Sequence, residues 1–197
     1  YWRSYSFISD SVSYDRSDDP AIFRESGRAF GRFLSMLDGF DAASLYETIV
    51  RFHDTPSRFA AFRQAVEADK AGRVSGVRDL IDAFLSYEGV ASTLVDQLAD
   101  GRLPLRVTHN DTKLNNVLID THTHKAVCVI DLDTVMPGLS AYDFGDAIRY
   151  GASTAAEDEP DLSKVHFSLP LYRAYADGYL SEVAAAMTPA EVDSLPV

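Results

Sequence analysis

Asp111, Asn116 and Asp131 are the residues whose types and spacing could do chemistry. The stretch Val107-Thr108-His109-Asn110-Asp111-Thr112-Lys113-Leu114-Asn115-Asn116-Val117-Leu118-Ile119-Asp120 reads as strand, polar loop, strand. A second apolar run, Ala126-Val127-Cys128-Val129-Ile130, ends directly on Asp131, with Asp133 two further on. A carboxylate at a loop tip can take the proton of an acceptor hydroxyl. An amide oxygen and a second carboxylate are hard ligands suited to Mg²⁺, which would bridge a nucleotide's phosphates. Pairing the two strands as a hairpin brings Asn116 and Asp131 together. A lone loop aspartate more often makes a local turn bond; the three residues jointly point to metal-assisted phosphoryl transfer, with Asp111 as base and Asn116 and Asp131 as metal ligands.

Lys113, two residues after the base, would neutralise charge on the transferred group. His109 at a strand end is expected to buttress the loop rather than act in the reaction. Asp133 reads equally as a substrate or metal contact and as a strand-end carboxylate. Asp143-Phe144-Gly145 spells a magnesium motif but opens a helix instead of ending a strand, so Asp143 is expected to cap that helix or to hold the loop's backbone N–H groups. Asp146 and Arg149 read as a surface helix pair.

The elements that must position these residues follow from pattern. Residues 1–8 alternate large and small side chains and read as a strand, and residues 10–19 as a loop. Asp19-Pro20 starts a helix with apolar positions Ile22, Phe23, Phe30, Phe33 and Leu34, ended by Gly39. Thr55-Pro56 opens another. A long helical pattern runs over residues 77–98, with Gly89 as its break. Pro137-Gly138 reads as a turn and residues 142–150 as a helix. Residues 171–187 form a helix carrying Tyr172, Tyr175 and Tyr179. Thr188-Pro189-Ala190-Glu191 is a capping signature. The fold class is therefore mainly α with a small β-hairpin, an α+β arrangement.

Composition narrows the partners. A net charge of −12 across 197 residues argues against nucleic acid and against an anionic membrane surface. No apolar run reaches the ~20 residues of a membrane span, and no signal-peptide pattern opens the chain. The single cysteine, Cys128, reads as buried strand filler and fits a reducing, cytoplasmic setting. His122 and His124 flank a hairpin turn and read as solvated.

The pattern His109-Asn110-Asp111, four residues, Asn116, then Ile130-Asp131-Leu132-Asp133, resembles the aminoglycoside phosphotransferase and choline kinase-like superfamily, relatives of protein kinases. The longer wording is similar to one branch, the N-acetylhexosamine 1-kinases: Leu45-Tyr46-Glu47-Thr48-Ile49, Phe52-His53-Asp54-Thr55, the loop itself, and residues 129–138 with Tyr142-Asp143-Phe144-Gly145-Asp146. The resemblance implies the C-terminal lobe of a protein-kinase-like fold with its N-lobe largely absent. Residues 1–8 would be a remnant of the last N-lobe strand and hinge, and residues 9–197 the C-lobe, truncated at both ends. Phe7 and Ile8 would lie where hinge backbone meets adenine. The activity implied is ATP- and Mg²⁺-dependent phosphorylation of the anomeric hydroxyl of an N-acetylhexosamine, with little activity in this segment alone because the phosphate-holding lysine and loop of the N-lobe are not in it. The alternatives are an aminoglycoside- or choline-type kinase and a non-catalytic kinase-like binding module. Partners implied are a sugar, a nucleotide and the missing N-lobe.

Overall fold

The computed structural model describes residues 2 and 4–197. The elements in chain order are β1 (Ser11–Val12), α1 (Pro20–Met36), α2 (Thr55–Ala68), α3 (Arg78–Leu85), α4 (Glu88–Ala91), α5 (Thr93–Ala99), β2 (Arg106–Thr108), β3 (Val117–Asp120), β4 (Ala126–Val129), β5 (Met136–Gly138), α6 (Ser140–Gly151), α7 (Leu169–Val183) and α8 (Pro189–Ser194). The chain is helix-rich with little strand, as the periodicity implies. Among the described residues no helix is long and apolar enough to cross a membrane.

The framework is α1 laid against α7. Asp19 caps α1 by accepting from the Ala21 N–H. Phe23, Phe30 and Leu34 then face Tyr175, Tyr179 and Val183, with Phe144 of α6 packed edge-on against both tyrosines at 5.6 and 5.4 Å. The two helices approach to backbone contact at Gly27, Gly31 and Gly178. A Cβ on Gly178 would collide with the Arg24 carbonyl and lie 3.1 Å from the Arg28 nitrogen. Gly178→Ala is expected to lower unfolding stability by about 2–3 kcal/mol despite alanine's better helix propensity, because neither backbone can yield. A shift in the urea midpoint at constant m-value measures it. A neutral or stabilising result would mean that the helices are not packed this closely.

Two small sheets carry the polar loops. One has the order β1-β3-β4, with β3 and β4 an antiparallel hairpin in which Val117 faces Val129. The other pairs β2 with β5 antiparallel. At the far end, α8 carries the anticipated capping box between Thr188 and Glu191, and Glu191 also accepts two bonds from Arg106 of β2, at 2.8 and 2.9 Å.

Several expectations need correction. Residues 4–8 form no strand; Trp2, Tyr5 and Phe7 are exposed, and a strand with no neighbour leaves its ladder groups unpaired. Tyr1 and Arg3 lie outside the described residues. A two-residue strand forms instead at Ser11–Val12, where β3 offers Asp120 and Ile119 as partners. The helical pattern over residues 77–98 is three short helices, broken at residues 86–87 and at Ser92, while Gly89 sits inside α4. The Ser86 hydroxyl bonds back to the Ala83 carbonyl at 2.7 Å, competing with helix continuation. Pro137-Gly138 is strand, not turn: Gly138 has no side chain to obstruct Thr108 across the pair. Cys128 is only half-buried, since β4 is a sheet edge.

Candidate active site

The loop from Thr108 to Lys113 leaves β2 and enters β3 through a single 3-10 turn at Leu114–Asn116. Its backbone is pinned from several sides. Asp143, buried on the first turn of α6, accepts the His109 N–H on one oxygen and the Asn110 N–H on the other, both at 2.8 Å. It does not cap α6, whose N-cap Leu139 makes no side-chain bond. One turn along, Asp146 accepts the Thr112 N–H at 2.9 Å, while the Thr112 hydroxyl donates to the Asp143 carbonyl at 2.6 Å. The Asn110 side-chain amide donates to the Thr108 and Thr134 carbonyls, and Asn110 adopts the left-handed conformation, φ +66°. That conformation turns the chain sharply at the residue before Asp111, and asparagine tolerates it better than most.

His109 is buried against the ring edges of Phe30 and Phe33, with Nε2 3.0 Å from the Ile130 carbonyl. That bond requires the proton on Nε2. Burial lowers the imidazole's pKa, so the ring is a neutral spacer between loop and hairpin. Burial drives Asp143 the other way, to about 7, against the pull of its two N–H donors.

At the loop tip the Asn116 side-chain nitrogen donates at 2.9 Å to both the backbone carbonyl and Oδ2 of Asp111. This leaves Asn116 Oδ1 as the amide's remaining acceptor. Lys113 Nζ stands 3.5 Å from Asp111 Oδ1 and 5.8 Å from the centroid of the Tyr150 ring. The Ile130 N–H donates to the Asn116 carbonyl at 2.9 Å, extending the hairpin one pair beyond Val117 and Val129. Asp131 follows at once in a left-handed conformation, φ +60°, exposed, and among the described residues without a hydrogen bond or ion pair. A carboxylate steadied by an amide can take a proton, the ammonium beside it can offset anionic charge, and the second carboxylate at the adjoining hairpin end offers oxygen donors to a cation.

A family model described as APH, phosphotransferase enzyme family, matches residues 1–178. The chain belongs to the APH phosphotransferase family. Among solved structures it is similar to an aminoglycoside-3'-phosphotransferase of type VIII, at 17% identity and a TM-score of 0.46, over 96% of this chain and 64% of that one. The chain thus spans less than two thirds of that enzyme's length.

Within this family member the structure brings Asp111, Lys113, Asn116 and His109 into one loop, with Asp131 at the adjoining hairpin end and Asp143 beneath. Asp133 lies exposed on the 3-10 turn Leu132–Thr134. Phe7 is exposed, and the Ile8 carbonyl accepts from the Ser11 hydroxyl at 2.8 Å. Asp146 is more than a surface pair with Arg149, because it also holds the loop at Thr112. Thr134, whose hydroxyl donates to the His109 carbonyl at 2.7 Å, is a further support that pattern reading missed. No spacing in the sequence marks Thr134, because its partner lies 25 residues away.

Asn116 Oδ1 and the Asp131 carboxylate are hard oxygen donors, and among the described residues no set of three acidic, histidine or cysteine side chains forms a complete cage. That donor set fits Mg²⁺, which keeps waters and takes phosphate oxygens rather than an all-protein shell.

Proposed function

We propose that the protein containing this chain transfers the γ-phosphoryl group of ATP to the anomeric hydroxyl of an N-acetylhexosamine. One observation carries the reading: Asp111, half-exposed at the loop tip, has its carboxylate fixed by Asn116 and flanked by Lys113, with Asp131 at the adjoining hairpin end. Asp111 would accept the hydroxyl proton as the phosphoryl group leaves ADP. Lys113 would offset charge on the group in transit. Asn116 and Asp131 would hold Mg²⁺, which supplies charge neutralisation at the phosphates. An anomeric hydroxyl is more acidic than an ordinary alcohol, so an unexceptional carboxylate suffices as base. Most of the rate would come from alignment and electrostatics.

In this reading residues 9–197 are a kinase-like C-lobe and residues 1–8 the end of the N-lobe and hinge, with Phe7 and Ile8 beside adenine. The choice of N-acetylhexosamine rests on the wording of residues 45–55, the loop, and residues 129–146. The test offers the full-length protein ATP and Mg²⁺ with N-acetylglucosamine, N-acetylgalactosamine, choline and kanamycin, and locates product phosphate by ³¹P NMR. A sugar 1-phosphate is expected, and residues 1–197 alone should give little or none. Turnover of only choline or kanamycin overturns the sugar assignment. ATP binding with no turnover of any acceptor overturns the catalytic one.

A further inference from the structure

Helix α6 runs alongside the catalytic loop and holds it at successive points. Asp143, Asp146 and Tyr150 fall at i, i+3 and i+7, on one face of the helix. They meet the loop in its own order. Asp143 accepts the His109 and Asn110 N–H groups, and Asp146 accepts the Thr112 N–H. The ring of Tyr150 lies against the Lys113 ammonium, with Nζ 5.8 Å from the ring centroid. The first two residues fix backbone. The third meets a charged side chain, and none of the roles above uses it.

Tyr150 is itself held at both ends. Its hydroxyl donates to the Asp15 carbonyl at 2.7 Å, and its ring packs against the core cluster. Asp15 is tied to the same loop, since its carboxylate accepts from the Asn115 side chain at 3.4 Å. Swinging the ring away from the loop would break the bond to Asp15.

Lys113 has two attractive neighbours among the described residues, the Asp111 carboxylate and this ring. The carboxylates a little further off are engaged elsewhere. Asp146 accepts from Thr112 and from Arg149, and Glu157 accepts from Arg149. Asp111 Oδ2 is taken by Asn116, so Oδ1, the oxygen beside Lys113, is the one left to receive a proton. The ammonium must therefore yield that oxygen to an arriving hydroxyl and still remain at the loop tip. An aromatic face permits both. Its quadrupole attracts the cation without offering an acceptor oxygen, so the N–H donors stay free to change partners. The separation of 5.8 Å is within the ~6 Å over which that attraction acts.

We propose that Tyr150 is a positioning residue for Lys113: its ring keeps the ammonium at the loop tip while the N–H donors pass from Asp111 to the phosphoryl group in transit. The inference rests on the reading of Lys113 as the charge that offsets that group. It adds that α6 places the charge of the loop as well as its backbone.

The test uses the full-length protein with ATP, Mg²⁺ and the acceptor that gives turnover, and a cooperative thermal transition on each variant reports a folded protein. Tyr150→Leu is expected to lower kcat about 3–10-fold with little change in KM for acceptor or nucleotide. Tyr150→Phe keeps the ring and loses only the bond to Asp15, so it should recover most of that loss. In a Lys113→Met background, Tyr150→Leu should cost less than about 2-fold more, because the charge that the ring holds is gone. A tyrosine that only fills space would lower kcat equally in both backgrounds. In ¹³C-lysine-labelled wild type, the Lys113 ε-protons, assigned by the peak missing from Lys113→Met, should lie upfield of those of free lysine and return toward them in Tyr150→Leu. The wild-type reading stands even if Tyr150→Leu does not fold. Equal losses with and without Lys113, a Tyr150→Phe as impaired as Tyr150→Leu, or ε-protons at the free-lysine position each overturns the proposal. Upfield ε-protons that revert in Tyr150→Leu, with no phosphorylation of any acceptor, would overturn the proposed reaction and support the placement of Lys113 by Tyr150. Phosphorylation with equal losses in both backgrounds would do the reverse.

Discussion

Asp111→Asn is expected to reduce kcat of the full-length protein by about two to four orders of magnitude while moving KM for acceptor and nucleotide far less. The substitution is nearly isosteric. The new Oδ1 can still accept from Asn116 Nδ2, as Asp111 Oδ2 does at 2.9 Å, so the loop tip keeps its shape. Two things are lost: an oxygen able to accept the acceptor's proton, and the negative charge 3.5 Å from Lys113 Nζ. The released lysine stays next to the reacting phosphate and preserves electrostatic stabilisation, which is why the loss should stop short of abolition. Steady-state kinetics with a saturating acceptor checks it. A near-normal kcat removes Asp111 from the role of base, and an equal loss with a large rise in KM would show that the residue positions the acceptor instead.

The parts of this arrangement that could be read from sequence are those with local causes. Asp19-Pro20 starts α1 because a cap and a fixed φ act within one turn, and Thr188 with Glu191 does the same for α8. The β3–β4 hairpin follows from two apolar runs flanking a polar turn, and it sets Asn116 beside Ile130, next to Asp131, through a single backbone pair. What could not be read depends on partners distant in sequence. Residues 1–8 carry strand-like alternation in sequence, but residues 4–8 have no strand beside them, whereas Ser11–Val12, with little pattern of its own, pairs because β3 is there. Pro137-Gly138 has turn composition, yet it is strand because β2 lies beside it, and a side chain on Gly138 would collide with Thr108. Asp146 and Arg149 look like a helix pair at any inspection of neighbours, and only the fold shows Asp146 reaching back to Thr112. The meeting of Lys113 with the Tyr150 ring is likewise made by segments far apart in the chain, and no spacing rule encodes it.

Asp143 allows the sharpest separation of two opposing effects. If relief of the buried charge were the only effect, Asp143→Asn would stabilise the protein. The amide also removes an acceptor, which the protonated acid keeps as a lone pair on its hydroxyl oxygen. Both carboxylate oxygens accept buried N–H groups, from His109 and Asn110. An asparagine offers one oxygen and must turn its NH₂ toward the other donor, leaving an N–H unsatisfied in a buried site at a cost of about 1–3 kcal/mol, with donor–donor repulsion added. The variant is therefore expected to be destabilised by about 2–4 kcal/mol and, because the displaced N–H groups belong to the residues entering Asp111, to lose roughly 100-fold in kcat. The pH dependence gives an independent check. The Asp143 carboxyl sits at about 7 in the folded protein, raised by burial from the usual 3.8. A raised folded-state pKa means that the native state binds the proton more tightly than the unfolded chain does. Its contribution to stability is then fully present below about 4 and lost as pH rises through about 7. The stability gap between wild type and Asp143→Asn should accordingly widen as pH falls from about 8 to about 5. Wild-type activity should fall over the same interval, since the protonated acid no longer presents two full acceptors to the loop. Thermal unfolding of both proteins across that range reads the gap directly. A gap that narrows on acidification would show that the two N–H donors outweigh burial and hold the Asp143 carboxyl below, not above, its ordinary range.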